Sequence, residues 1–321
     1  MDYLKIPGTK IKSSRIGFGS QPTGYHDESY GLQAIHTAFE HGVNLIDTSP
    51  VYGNGRAEQI VGKALRNYDR DDVVIASKTG LEKTGRGAVR NSSPEFILKD
   101  IEGSLQRLGT DYIDIYQIHW PDPVQPFHET AEVMESLREE DRIKAIGVSN
   151  FSVEQMKCFS EYVDINTCQS PYNIFERLIE GGVIPYCIRN NITLLTYRSL
   201  CQGILTGALE YNTDYSKHPV KKDDPKFKSP RYEQYLDAVK NLANFVQNEH
   251  NKSMIDLAIQ WILDKANTVA LWGAWKPEHI DDVNLLSNWS VDKETRYRIE
   301  KIVNEYVNDP VGPEFLEPPS R

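Results

Sequence analysis

The stretch that decides the fold is VNLIDTSPVYGNGRAEQIVGKAL, residues 43–65. It opens as an apolar run, Val43, Leu45 and Ile46, and ends that run on a carboxylate, Asp47. A Pro/Gly loop carrying Tyr52 follows, and then Ile60, Val61, Ala64 and Leu65 recur at helical spacing. The order is strand, polar loop, helix. Two proton-carrying groups stand where the chain leaves the strand, which suggests a proton-transfer site at the mouth of a larger structure.

The same unit recurs in both directions. Towards the N-terminus, Arg15–Gly19 is a short strand, and residues 28–41 have helical spacing closed by Gly42. Residues 2–14 read as two short strands around Pro7-Gly8. Downstream, Val73–Lys78, Tyr112–His119, Ile143–Val148, Ile165–Gln169, Ile192–Tyr197 and Thr268–Trp272 are apolar strand-like runs, each followed by a helical pattern. Repeated β–α units with buried strands demand a parallel sheet with helical crossovers. Eight of them in 321 residues fit a closed α/β fold, a (β/α)8 TIM barrel, occupying residues 1–321 as a single domain. An open doubly wound sheet is the weaker alternative, because no GxGxxG follows an early strand. Residues 206–230 are polar, basic and proline-bearing, and read as a lid or an unstructured segment. The tail DPVGPEFLEPPSR reads as lying over the surface.

Composition narrows the functional classes. A net charge of −10 argues against nucleic acid or an anionic membrane as the partner. No apolar run approaches the ~20 residues of a membrane span, and the N-terminus has no signal-peptide core. A cytoplasmic protein acting on small molecules is expected. The four cysteines form no CxxC, and none has a histidine at zinc-ligand spacing, so no metal site is expected. Cys201, in a glycine-bearing loop, is the cysteine to watch.

In a barrel the active site lies at the C-terminal ends of the strands. Asp47, Lys78 and His119 stand at three successive ends, with Tyr52 just beyond the first. A phenol with a pKa of roughly 10 is a poor acid near neutrality, and a neighbouring ammonium lowers that value. Asp47 supplies the counter-charge that a buried Lys78 needs. A histidine can hydrogen-bond a substrate oxygen. Taken singly, Asp47 reads as a turn cap, Tyr52 as a packed loop aromatic, Lys78 as a solvated lysine and His119 as a structural histidine. Together they make a proton-donating site for a carbonyl group that lacks an electron source, so the hydride must come from a cofactor. Ser149, Asn150, Gln169, Tyr197, Ser199, Leu200, Gly273 and Ala274 stand at the remaining strand ends.

DTSPVYGNGRAEQIVGKAL, ASK, YQIHWPD, IGVSN, QSPYN and YRSLCQGILTG resemble, in that order and along essentially the whole chain, the aldo-keto reductase superfamily. WGA near residue 272, LCQG at 200–203 and the closing DPVGPEF resemble a bacterial subfamily of general-stress reductases. The resemblance implies a barrel with an N-terminal β-hairpin closing its bottom and an NADP(H)-dependent carbonyl reductase, or an alcohol dehydrogenase in reverse. It implies Tyr52 as acid/base, Lys78 and Asp47 as its tuning pair, and His119 as the group that orients the carbonyl. It places the nicotinamide carboxamide on Ser149, Asn150 and Gln169, and the nicotinamide ring on Tyr197. It places the pyrophosphate along Ser199, Leu200 and Gly203, and the adenosine end on Gly273, Ala274, Trp275, Lys276, His279 and Asp282.

The chain departs from the family at that adenosine end. Trp275 stands where an arginine is expected on the 2′-phosphate, His279 in place of a glutamine, Val283 in place of an asparagine and Gln202 in place of the LCRG arginine. Losing cationic forks costs phosphate affinity specifically. Lys276 and Arg198 are the compensating cations, and Trp275 is a stacking surface for adenine. The expected cofactor is NADP(H), with NAD(H) also competent. Trp120, Tyr25 and Phe127 are candidate walls of the substrate pocket, and the glycine-rich basic loop 81–90 is read as mobile and solvated. Two rival readings are a cofactor-binding regulatory protein of the same fold with little turnover, and a barrel hydrolase built on Asp47. The hydrolase lacks a second carboxylate at an adjacent strand end. The physiological substrate, the preferred direction and the oligomeric state are not specified by the residues.

Overall fold

The computed structural model describes residues 1–85, 87–286 and 289–321. Its strands are β1 (Tyr3–Lys5), β2 (Lys12–Ser14), β3 (Ile16–Gly19), β4 (Leu45–Asp47), β5 (Val74–Thr79), β6 (Leu81–Thr84), β7 (Gly87–Arg90), β8 (Ile113–Ile118), β9 (Ile143–Ser149), β10 (Thr167–Pro171), β11 (Thr193–Tyr197) and β12 (Thr268–Gly273). Its helices are α1 (Glu28–Glu40), α2 (Arg56–Leu65), α3 (Pro94–Leu108), α4 (Phe127–Glu139), α5 (Val153–Phe159), α6 (Val183–Arg189), α7 (Arg231–His250), α8 (Met254–Leu263) and α9 (Lys293–Tyr306). Strands β3, β4, β5, β8, β9, β10, β11 and β12 pair in parallel in that order, and β12 closes back on β3. The eight-stranded barrel expected from the alternating pattern is therefore present, with the hairpin β1–β2 beside it.

Side chains alternate in and out along each strand, so the inward set is fixed by register. Leu45, Val74, Ala76, Ile115, Ala145, Leu195, Val269 and Leu271 pack together with Ile6 and Ile11, which the N-terminal hairpin inserts from below. The outward set joins the helices in the larger apolar layer, where Ile46, Ile75, Ile101, Ile146 and Trp261 are fully buried. Two residues above Leu45 on the inward face comes Asp47, and two above Ala76 comes Lys78. The period of 2 thus delivers polar groups to the upper end of a hydrocarbon-filled cylinder. Crowding inside is severe: a Cβ on Gly147 would stand 2.6 Å from Gln117 Cγ, so only glycine leaves room there.

Two expectations need revision. Residues 206–230 are not unstructured. They carry two short 3-10 turns, and Lys226 within them is fully buried, because Glu176 and Asp224 give its ammonium paired oxygens at 2.9 and 3.3 Å. Residues 81–90 are not a solvated loop but the antiparallel hairpin β6–β7, in which Glu82 faces Val89. Arg86, part of the basic reading of that loop, lies outside the described residues. The C-terminal tail does run over the surface, but it is tied down along its length. Val311 N–H donates to Tyr235 Oη at 3.0 Å, and the Phe315 ring lies 5.2 Å from both the Arg198 and Lys226 cations. Arg90 pairs with Glu317 at 2.6 Å and donates its backbone N–H to Pro319 O. Among the described residues no helix is long and apolar enough to cross a membrane.

Candidate functional site

The strand ends bring Asp47, Lys78, Gln169 and His119 to one place. Lys78, fully buried, donates through Nζ to Asp47 Oδ1 at 2.6 Å and to the Thr48 carbonyl at 2.9 Å. Gln169 donates from Nε2 to the other carboxylate oxygen at 2.8 Å. The Asp47 carboxylate is thereby held from both sides. Burial pulls the Lys78 ammonium below its ordinary pKa, and Asp47 opposes that pull. Tyr52 reaches the same spot from the loop after β4, its ring centroid 5.0 Å from Lys78 Nζ and edge-on to His119 at 6.0 Å. The loop is seated backbone on backbone. A Cβ on Gly53, at φ +56°, would stand 2.7 Å from Gly24 Cα, so glycine is required.

The electrostatics differ from the sequence-based expectation in one respect. The Tyr52 phenol is pushed well above its ordinary pKa, first by desolvation and then by the Asp47 and Tyr25 charges. Lys78, already paired with Asp47, does not outweigh these effects in the resting site. The result is a phenol that keeps its proton. His119 is pushed the other way, well below the usual imidazole range, by burial and then by Lys78, so its ring is neutral. Its Nδ1 lies 3.4 Å from Ser49 Oγ. Its carbonyl accepts from Asn150 Nδ2 at 3.0 Å.

The residues read as nicotinamide contacts gather beside this group. Asn150, at φ +62°, also donates from Nδ2 to Ser149 Oγ, and its Oδ1 accepts from the Tyr197 hydroxyl at 2.9 Å. Gln169 serves Asp47 with its amide nitrogen. Along the expected pyrophosphate path, Gly203 has φ +94°. The Ser199 hydroxyl, by contrast, turns back to the Thr196 carbonyl. Gln202 Oε1 is buried with no hydrogen-bond partner among the described residues. Lys221 was not singled out from sequence. It places Nζ 3.9 Å from where a Gly203 Cβ would be, and burial lowers its pKa to about 8. Its polar neighbours KKDD hid it, because nothing in that run distinguishes the lysine that turns inward.

At the adenosine end, Trp275 stacks on His26 with ring centroids 4.0 Å apart and planes 14° from parallel. His279 meets it edge-on at 5.2 Å, and Lys276 lies 4.0 Å from Glu278. Gly273 is exposed, Ala274 is fully buried, Asp282 is half-buried and Val283 is buried. His26 was missed because a lone histidine in a loop carries no periodic signal. Arg198 does not compensate for the missing arginines: Glu176 and Asp224 both hold its guanidinium away. Phe127 stacks on Phe151 at 5.6 Å and meets Phe159 edge-on. Trp120 is half-buried and Tyr25 is 41% exposed. Cys201 is fully buried and its thiol is pushed up by desolvation, which makes it unreactive.

The amides of Asn150 and Gln169, a buried Gln202 oxygen without a partner among the described residues, a positive-φ glycine and the Lys221 ammonium beside it fit a nicotinamide dinucleotide. The comparisons with known proteins agree. The profile of the Aldo/keto reductase family matches residues 15–304. Aldo-keto reductase YhdN of Bacillus subtilis is 44% identical over 328 residues, covering 100% of this chain and 99% of its own. The NADH-specific methylglyoxal reductase of Escherichia coli is 32% identical, covering 87% of this chain and 91% of its own. Among solved structures, the glycerol dehydrogenase AKR11B4 of Gluconobacter oxydans superposes with a TM-score of 0.88 at 38% identity, over 97% of this chain and 98% of that one. An aldo/keto reductase of Klebsiella pneumoniae, solved with NADP and acetate, gives a TM-score of 0.73 at 25% identity, over 97% and 94%. The chain belongs to the aldo/keto reductase family and is an NAD(P)(H)-dependent oxidoreductase acting on C=O and CH–OH groups.

Proposed function

We propose that Tyr52 is the proton donor to a small carbonyl substrate and His119 the group that orients its oxygen, with residues 1–321 acting as one reductase unit in the cytoplasm. The observation that carries this is the convergence on one spot of a protonated phenol and a neutral imidazole around the Lys78–Asp47 pair. Bound NADPH or NADH supplies the hydride. As negative charge develops on the carbonyl oxygen, Lys78 at 5.0 Å from the Tyr52 ring stabilises the phenolate that remains after proton transfer. In the reverse direction the phenolate accepts the proton of an alcohol. Asp47 favours the charged form of Lys78 and holds it in place, and Gln169 holds the Asp47 carboxylate.

Ser149, Asn150 and Gln169 would hold the carboxamide, Tyr197 the ring, and Ser199, Leu200 and Gly203 the pyrophosphate. Of these, Ser199 would act through its backbone, its hydroxyl being engaged. Trp275, Lys276, His279 and Asp282, with Gly273 and Ala274, would border the adenosine. Because Trp275 stands in place of a cationic fork and Arg198 is locked away, NAD(H) is accepted alongside NADP(H). The NADH-specific name of the Escherichia coli relative supports this.

Turnover of 4-nitrobenzaldehyde tests the assignment. Tyr52→Phe is expected to lower kcat by at least about a hundredfold with cofactor affinity unchanged, the scale of a lost general acid. Full activity in that variant would remove Tyr52 from the role. Fluorescence titration with NADPH and NADH is expected to give dissociation constants within about tenfold of each other.

A further inference from the structure

We propose that Ser49 is a positioning residue of the proton-donating site, its hydroxyl fixing the tautomer of His119 so that the ring proton sits on Nε2. The inference rests on the roles given above to Tyr52 and His119.

Ser49 is fully buried, two residues beyond Asp47. It touches both functional groups. Its carbonyl accepts the Tyr52 backbone N–H at 3.1 Å, which closes the turn that carries the phenol. Its Oγ lies 3.4 Å from His119 Nδ1. Hydrogen counting decides the direction of that contact. A serine hydroxyl has one hydrogen to place, and a neutral imidazole has one donor nitrogen and one acceptor nitrogen. If Nδ1 carried the proton, the Ser49 hydrogen would itself need an acceptor, and no other hydrogen bond to Ser49 Oγ exists among the described residues. With Ser49 donating, its buried hydroxyl is satisfied, and the one imidazole hydrogen is left to the nitrogen that faces away from Ser49. Nδ1 accepts, and Nε2 carries the hydrogen.

The choice matters because His119 is neutral, so only one of its nitrogens can donate. No hydrogen bond among the described residues engages Nε2, and His119 as a residue is only half-buried. An Nε2–H there offers a donor to a carbonyl oxygen beside the Tyr52 hydroxyl. The opposite tautomer would present a lone pair and repel that oxygen. The rest of the ring's attachment is backbone: His119 N–H donates to Thr79 O and its carbonyl accepts from Asn150. These bonds fix where the ring sits and leave its protonated nitrogen to Ser49.

The test uses the full-length protein with NADPH and 4-nitrobenzaldehyde, with nitrogen NMR of labelled histidines. The His119 signals are assigned by their loss in His119→Gln. Ser49→Ala is expected to lower kcat about fivefold, the worth of one ordinary hydrogen bond, with the NADPH dissociation constant unchanged. The same variant is expected to shift His119 from the Nε2–H form to a mixture. Ser49→Thr, which keeps the hydroxyl, is expected to restore both. Wild-type turnover in Ser49→Ala, or a loss of turnover with the Nε2–H form intact, would overturn the proposal. If Tyr52→Phe and His119→Gln are themselves silent, the site reading fails instead, so the two failures are distinguishable.

Discussion

The phenol of Tyr52 holds its proton more tightly than a free tyrosine, because desolvation and the Asp47 carboxylate both disfavour phenolate. The sign has a direct consequence. Without bound ligand, phenolate should not form below the ordinary tyrosine value of about 10. The ultraviolet difference between wild type and Tyr52→Phe is therefore expected to show no tyrosinate up to about pH 10. A titration centred near neutrality would show instead that Lys78 acidifies Tyr52 in the free protein. For catalysis, carbonyl reduction needs the protonated phenol and is not limited by Tyr52 anywhere near neutrality. Alcohol oxidation needs the phenolate and gains from alkaline conditions. Lys78 is the cation nearest the Tyr52 ring and partly offsets the cost of the phenolate, while Asp47 shares its charge.

Among the elements, the segment after β11 best shows a polar stretch made rigid by its charges. Arg198, Glu176, Asp224 and Lys226 form a buried quartet of two cations and two anions, with Phe315 laid against both cations. Lys226→Met would leave two buried carboxylates with a single cation. Removing one member of a buried ion pair costs about 3–5 kcal/mol, so urea unfolding is expected to show a loss of about 3 kcal/mol. Pairing it with Glu176→Gln should recover part of that loss, and an unchanged midpoint in the single variant would mean that the quartet carries no stability. This quartet also marks the limit of what the sequence discloses. The strands were legible because each is an apolar run ending in a polar residue, and Asp47, Tyr52, Lys78 and His119 were legible because they stand at such ends. The quartet was not, because its members are far apart in the chain and no local pattern pairs residue 176 with 226. Composition alone made residues 206–230 look solvated, and made Arg198 look available for a phosphate. Ser49 was hidden for a similar reason. Its partner is seventy positions away, and a serine in a turn ordinarily caps it.

Across the whole molecule, the two chain ends serve opposite ends of the barrel. The N-terminal hairpin inserts Ile6 and Ile11 into the lower interior. The C-terminal tail joins the Arg198–Lys226 side of the upper rim to the β6–β7 hairpin through Phe315, Glu317 and Pro319. That hairpin in turn reaches the Tyr52 loop, where Lys83 Nζ donates to Asn54 Oδ1 at 2.7 Å. Deleting residues 313–321 is therefore expected to raise amide exchange at Arg90, whose N–H loses its acceptor, while β4 and β5 stay protected. Unchanged exchange at Arg90 would show that the tail does not brace the hairpin.

The closed lower end also governs proton traffic. Below Asp47 and Lys78 the barrel axis is filled by Leu45, Val74, Ala76, Ile115, Ala145, Leu195, Val269 and Leu271 and stoppered by Ile6. This hydrocarbon layer separates the Lys78–Asp47 pair from the lower face of the barrel. A Tyr52 that has given up its proton cannot be recharged through the floor. Its replacement must arrive through the mouth by which substrate enters and product leaves, so reloading the acid waits on the same opening as product exchange.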